Sequence, residues 1–127
     1  MRFTIPGEPT GKGRPRVTKW GTHTPEKTVL YENLIKTCCP NEMLSGELHV
    51  HVKAYYQIPK STSKKNAERM RHEVVRPTKK PDCDNVLKII CDALNKIAYN
   101  DDSQIVSALV EKFYADVPRV EVEIGEV

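Results

Sequence analysis

The chain has 127 residues, 39% hydrophobic and 29% charged, the make-up of one small globular domain. A chain of this length buries roughly two thirds of its unfolded surface, so it folds without needing a disulfide or a metal, and a metal would serve chemistry. Apolar runs break within a few residues, and Met1-Arg2-Phe3-Thr4-Ile5-Pro6-Gly7-Glu8 has no apolar signal region, which excludes a membrane or exported protein by this reading.

Cys38, Cys39, Cys83 and Cys91 have neither the spacing of a secreted scaffold nor a Cys-x-x-Cys pair, so a reducing cytoplasm is the expected home. The net charge of +3 conceals an asymmetry. Residues 1–80 carry 16 Lys and Arg against 7 Asp and Glu, and residues 81–127 carry 4 against 10. A basic half beside an acidic half suits a polyanion held near a carboxylate cluster by a divalent cation; accidental clustering on solvated faces is the alternative.

Four strands and three helices are expected, with no repeat or long linker. Phe3 and Ile5 alternate with polar neighbours before Pro6-Gly7, giving a short strand and then a loop to about Thr22. Thr24-Pro25-Glu26 opens a helix over 25–38, with Val29, Leu30, Leu34 and Cys38 at helical spacing. Leu48, Val50, Val52, Ala54 and Tyr56 alternate with His49, His51, Lys53 and Tyr55 in a half-buried strand. Ser61-Thr62-Ser63 caps a short polar helix through Arg71, anchored by Ala67 and Met70 alone, which suggests mobility. A third helix covers 83–97, and strands follow near 104–115 and 119–126.

The chemistry lies between Lys80 and Gln104, where Asp82, Asp84, Asp92, Asp101 and Asp102 fall within 21 residues. On an ideal helix Asp84, Lys88, Cys91, Asp92 and Asn95 share an arc of roughly 100°, with Val86, Ile89, Ile90, Ala93, Leu94 and Ile97 opposite. Asp82 and Asp84, at the helix start, can point their carboxylates the same way. Hard cations such as Mg²⁺ and Mn²⁺ take oxygen ligands and keep water and substrate phosphate, so two or three convergent aspartates are the expected protein share. Such an ion can activate water, and Lys88, one turn after Asp84, can face the charge of the transition state. Each residue has a structural alternative: Asp82 or Asp84 as a helix cap, Asp84 with Lys88 as a surface ion pair, Asp101 with Asp102 as turn formers.

Lys80-Pro81-Asp82-x-Asp84-Asn85-x-x-Lys88, Asp92-Ala93-Leu94-Asn95 and Tyr99-x-Asp101-Asp102-x-Gln104 together resemble the RusA family of Holliday junction resolvases, small endonucleases of bacteria and their prophages. The resemblance extends to Gly11-Lys12-Gly13-Arg14-Pro15-Arg16 and to Pro59-Lys60-Ser61 with Ser63-Lys64-Lys65, and is weak between 38 and 58. It implies that Asp82, Asp84 and Asp102 are metal-binding catalytic carboxylates, that Asp101 can share the Asp102 role, and that Lys88 is the essential lysine. It also implies a homodimer making paired symmetric nicks with 5′-phosphate products, in recombination and repair.

Lys12, Arg14 and Arg16 suit a glycine-containing loop approaching phosphates, though the spacing is not that of a P-loop. Residues 60–80 hold eight Lys and Arg against two Glu, a phosphate track expected to use Lys64, Lys65, Arg69, Lys79 and Lys80, or else a solvated helix and loop. Trp20, Tyr55, Tyr56 and Tyr99 are candidates for base stacking or for the core. His49 and His51 share a strand face but lack a third ligand nearby, so the polar face of a sheet explains them.

The expectation is a single α+β domain over 1–127, RusA-like, with a mixed four-stranded sheet, helices packed on one face, and the metal site at the third helix start and the strand after it. Its function would be Mg²⁺-dependent cleavage of four-way DNA junctions, with Mn²⁺ able to substitute, branched DNA and a second copy as partners, and neither membrane nor small-molecule cofactor. A non-catalytic junction or single-strand DNA-binding protein, or a nuclease for another branched DNA, are the alternatives.

Overall fold

A computed structural model describes residues 1–13 and 16–127, without the side chains of Arg16 and His23. The alternating segments form the strands that their period dictates: β1 (Arg2–Pro6), β4 (Leu48–Gln57), β5 (Ile105–Ala115) and β6 (Arg119–Glu126). They make a mixed sheet in the order β1-β6-β4-β5. Strand β4 is central, parallel to β5 with Tyr55 opposite Phe113, and antiparallel to β6 with Val52 opposite Val122.

Every second residue of β4 from Leu48 to Tyr56 is buried, as are Val120, Val122 and Ile124 of β6. These side chains meet Tyr31 and Ile35 of helix α1 (Glu26–Cys38) and Val86, Ile89, Ile90, Ala93 and Leu94 of helix α3 (Cys83–Leu94) in one core. The result is a single-domain α+β fold with three helices. Helices α1 and α3 share one face, as expected. Helix α2 (Lys64–Arg71) instead lies against edge strand β5, with Ala67 buried and Arg71 donating to Asp116 at 2.9 Å. Among the described residues no helix is long and apolar enough to cross a membrane.

Two further features depart from the sequence expectation. The first loop contains a two-stranded ribbon, β2 (Arg16–Thr18) with β3 (Gly21–His23). Strands of three residues are too short to carry a period, so the pattern could not reveal them. Helix α3 ends at Leu94, not 97. Asn95 leaves the helix with ψ 127°, Lys96 takes φ +68°, and the Lys96 amide donates to the Tyr99 carbonyl at 2.8 Å.

Two buried tyrosines fasten the ends of α3. The Tyr56 hydroxyl donates to the Pro81 carbonyl at 2.6 Å, just before Asp82, and the Tyr99 hydroxyl donates to the Cys91 carbonyl at 2.7 Å. The segment after β1 seats on the same helix start, where the Lys12 amide donates to the Asn85 carbonyl at 3.2 Å. A side chain at Gly11 would stand 2.8 Å from Pro81 Cβ and 3.1 Å from Asn85 Cβ, so only glycine permits this approach. Gly11→Ala is therefore expected to cost about 1–3 kcal/mol, seen as a lower urea midpoint; wild-type stability would show that the contact is dispensable.

Candidate active site

Helix α3 presents two faces: Val86, Ile89, Ile90, Ala93 and Leu94 enter the core, while Asp84 and Lys88 remain exposed and Cys91, Asp92 and Asn95 half-buried; Ile97, expected on the apolar face, lies beyond the helix end and is exposed. Asp82 occupies the N-cap position with extended backbone (φ −71°, ψ 159°), yet its side chain makes no capping hydrogen bond. Among the described residues neither Asp82 nor Asp84 is ion-paired, and Asp84 and Lys88 do not pair with each other. The cap and ion-pair alternatives thus leave both carboxylates unused and open to solvent.

Asp102 stands elsewhere. Its amide donates to Asn95 Oδ1 at 2.8 Å, and Asn95 Nδ2 approaches its carboxylate at 3.4 Å. Asn95 lies eleven residues beyond Asp84, about 16 Å along a helix axis. Asp102 therefore belongs to the far end of the polar stripe, and the expected trio of Asp82, Asp84 and Asp102 is not gathered at one point within the protomer. Among the described residues no three His, Cys, Asp or Glu side chains are grouped to hold an ion. Asp101 acts as a turn former: its carboxylate accepts from the Ser103 hydroxyl at 2.8 Å, which lowers its pKa, and with Gln104 it closes a capping box around the 3₁₀ turn Asp102–Gln104. Burial raises the Cys91 thiol to about 11, so it is a neutral thiol at physiological pH.

These donors fit one class of ion. Two exposed carboxylates one residue apart are a sufficient protein share for Mg²⁺ or Mn²⁺, whose remaining positions water and substrate phosphate fill. They do not form a closed three-carboxylate cage.

The basic residues divide into engaged and open sets. Lys12 Nζ lies 3.3 Å from Glu32 of α1 and 3.2 Å from Asp92 of α3, tying two helices through a half-buried ammonium. Burial works against its charge, but the hydrogen bonds and fields of Asp92 and Glu32 outweigh it and raise the lysine pKa. This role was not legible beforehand, because its partners lie 20 and 80 positions away. Lys12→Met is expected to lower stability by about 1–2 kcal/mol at neutral pH, more than it lowers DNA affinity. The loss should fade as pH rises past 10.5 and through the raised folded pKa, where the ammonium is gone in both states. Unchanged urea unfolding with weakened DNA binding would instead make Lys12 a phosphate contact.

Arg71 is held by Asp116 and Glu68, and Arg76 donates to the Lys112 carbonyl while stacking on Phe113. Lys64, Lys65, Arg69, Lys79 and Lys80 are exposed and form no ion pair among the described residues. Arg14 lies outside the described residues, as does the side chain of Arg16.

Of the four aromatic candidates, Tyr56 and Tyr99 are buried, and Tyr55 stacks on Phe113 beneath the Arg119 guanidinium. Only Trp20 is open, with 81% of its surface exposed. His51 pairs with Glu111 at 2.9 Å on the open sheet face, in agreement with a polar-face role.

The fold is a small α+β domain whose third helix carries two uncommitted carboxylates at its head. The family model Endodeoxyribonuclease RusA matches residues 6–125, and the chain belongs to this family of Holliday junction nucleases. It is also 40% identical, over 137 aligned positions, to the uncharacterized protein YqaN of Bacillus subtilis (strain 168), an alignment covering all of this chain and 96% of the relative.

Proposed function

We propose that the protein is a Mg²⁺-dependent endodeoxyribonuclease of the cytoplasm that resolves four-way DNA junctions by paired symmetric nicks, as a homodimer, in recombination and repair. The observation that carries this reading is the pair of uncommitted carboxylates, Asp82 and Asp84, at the head of a helix fastened by Tyr56 and Gly11. Asp82 and Asp84 are the ligands that would hold Mg²⁺, or Mn²⁺ in its place. The bound ion would supply Lewis-acid polarisation of the scissile phosphate and an activated water.

The chain's own residues do the rest. Lys88, exposed one turn beyond Asp84, offers its ammonium to the charge that develops on the phosphate. Lys64, Lys65, Arg69, Lys79 and Lys80 hold flanking phosphates and set a salt-dependent affinity. Asp102, fixed by Asn95 at the far end of the stripe, is the third carboxylate of the family motif, and one protomer alone does not bring it to the Asp82 and Asp84 pair. Two protomers provide two cuts, which suits a symmetric substrate.

Competition tests the substrate. A labelled four-way junction should be nicked at paired symmetric positions in Mg²⁺ and persist in excess flap or linear duplex competitors. Preferred cutting of a flap would transfer the same carboxylate chemistry to another branched DNA. Tight binding without cutting in either metal would make this a junction-binding protein.

A further inference from the structure

The ribbon formed by β2 and β3 stands outside the core, and its tip contributes nothing to packing. Val17 is 84% exposed and Trp20 81% exposed. A two-stranded ribbon is marginal alone, so an exposed indole there is not explained by folding. Its turn is nevertheless built. The Thr18 hydroxyl donates to the Gly21 carbonyl at 3.1 Å, the Trp20 amide donates to the Thr18 hydroxyl oxygen at 3.2 Å, and Gly21 takes φ +119°, a conformation suited to glycine.

Three observations identify what the indole meets. Residues 9–25 contain Lys12, Arg14, Arg16 and Lys19 with no Asp or Glu, so this segment favours a polyanion. Lys19 Nζ sits 5.0 Å from the Trp20 ring centroid, placing a cation beside an aromatic face. The described segments that flank the ribbon lie near the candidate carboxylates: Gly11 abuts Pro81 and Asn85, and Gly13, whose amide donates to Thr28 Oγ1 at 3.0 Å, abuts Pro25, two residues after β3. Strands of three residues are about 10 Å long, the span of a few nucleotides. A flat aromatic face, cations and no acid suit a nucleobase that has left its stack, which occurs in branched or single-stranded DNA and not within intact duplex.

We propose that Trp20 stacks on an unpaired or splayed base beside the cut, so that the ribbon helps to distinguish branched from continuous DNA. This rests on the reading that the protein binds branched DNA, and the experiment separates the two. Trp20 is the chain's single tryptophan, so its emission reports on this position alone.

Emission and the anisotropy of a labelled four-way junction are followed together in EDTA, where no cutting occurs. The expected result is quenching of Trp20 that saturates with the anisotropy, and that is weaker with a blunt duplex. Trp20→Ala should bind the junction about tenfold less tightly and Trp20→Phe nearly as well as wild type, both with wild-type circular dichroism. Saturated anisotropy with unchanged emission, or unaltered affinity of Trp20→Ala, would overturn the inference. Emission that instead follows protein concentration without DNA would assign Trp20 to contact between copies of this chain and overturn it too. No anisotropy change with the wild type would overturn the DNA-binding reading itself, and the inference with it.

Discussion

Asp84→Asn is expected to reduce nicking of a four-way junction by at least about 10³-fold while leaving junction affinity in EDTA within about threefold of wild type. The substitution keeps the size of the side chain and removes its charge. Asp84 is exposed and, among the described residues, unpaired, so the fold uses it only as a charge in the first turn of α3 and the thermal midpoint should move little. Affinity should persist because the open cations Lys64, Lys65, Arg69, Lys79 and Lys80 are untouched. Cleavage is read as product formed from prebound junction, and affinity from anisotropy of the labelled DNA. Loss of both in a folded variant would show that Asp84 organises binding as well as chemistry.

Lys88→Met should lower the single-turnover cleavage rate by about 10²- to 10³-fold, with the Mg²⁺ concentration for half-maximal rate and the junction affinity nearly unchanged. The thioether matches the apolar stem, ends one atom short of the ammonium and carries no charge, so packing of the stem along the stripe is preserved. An ammonium matched to the transition state acts on the rate; one that merely holds a phosphate acts on affinity and its salt dependence. A variant with wild-type rate but weaker, less salt-sensitive binding would move Lys88 into the phosphate track. Lys88→Arg keeps the charge in a wider, planar head and should recover only part of the rate.

The sequence displayed its regular elements plainly because their periods were intact. Leu48 to Tyr56 and Val120 to Ile124 alternate without interruption, and the buried half of each is what the sheet places in the core. The two faces of α3 were equally legible, since its apolar residues recur at helical spacing up to Leu94. What stayed hidden was tertiary. Asn95 ends the helix because its side chain is held by Asp102, a partner no local pattern announces. Lys12, which reads as a phosphate contact, is claimed by Glu32 and Asp92 from two packed helices. Helix α2 gains an anchor from Asp116, 45 residues beyond Arg71.

The candidate site divides in the same way. Motif order named Asp82, Asp84, Lys88 and Asp102, but order along a chain does not say at which end of a helix a later residue arrives. Burial alone separates Trp20 from Tyr56 and Tyr99, which are equivalent as stacking candidates by composition. The Asp82 side chain left unused at its own cap is likewise a matter of geometry, because an aspartate before a helix usually reads as a cap.

Metal-triggered cutting of a preformed complex tests the central claim most directly. Junction labelled on each strand in turn is saturated with protein in EDTA, Mg²⁺ is added in excess, and products are resolved strand by strand for the wild type and Asp84→Asn. The account predicts symmetric nicks in two opposing strands of the wild-type complex, none before Mg²⁺ is added, and an intact junction with Asp84→Asn. An intact wild-type complex in both Mg²⁺ and Mn²⁺, or equal cutting by Asp84→Asn, would contradict it.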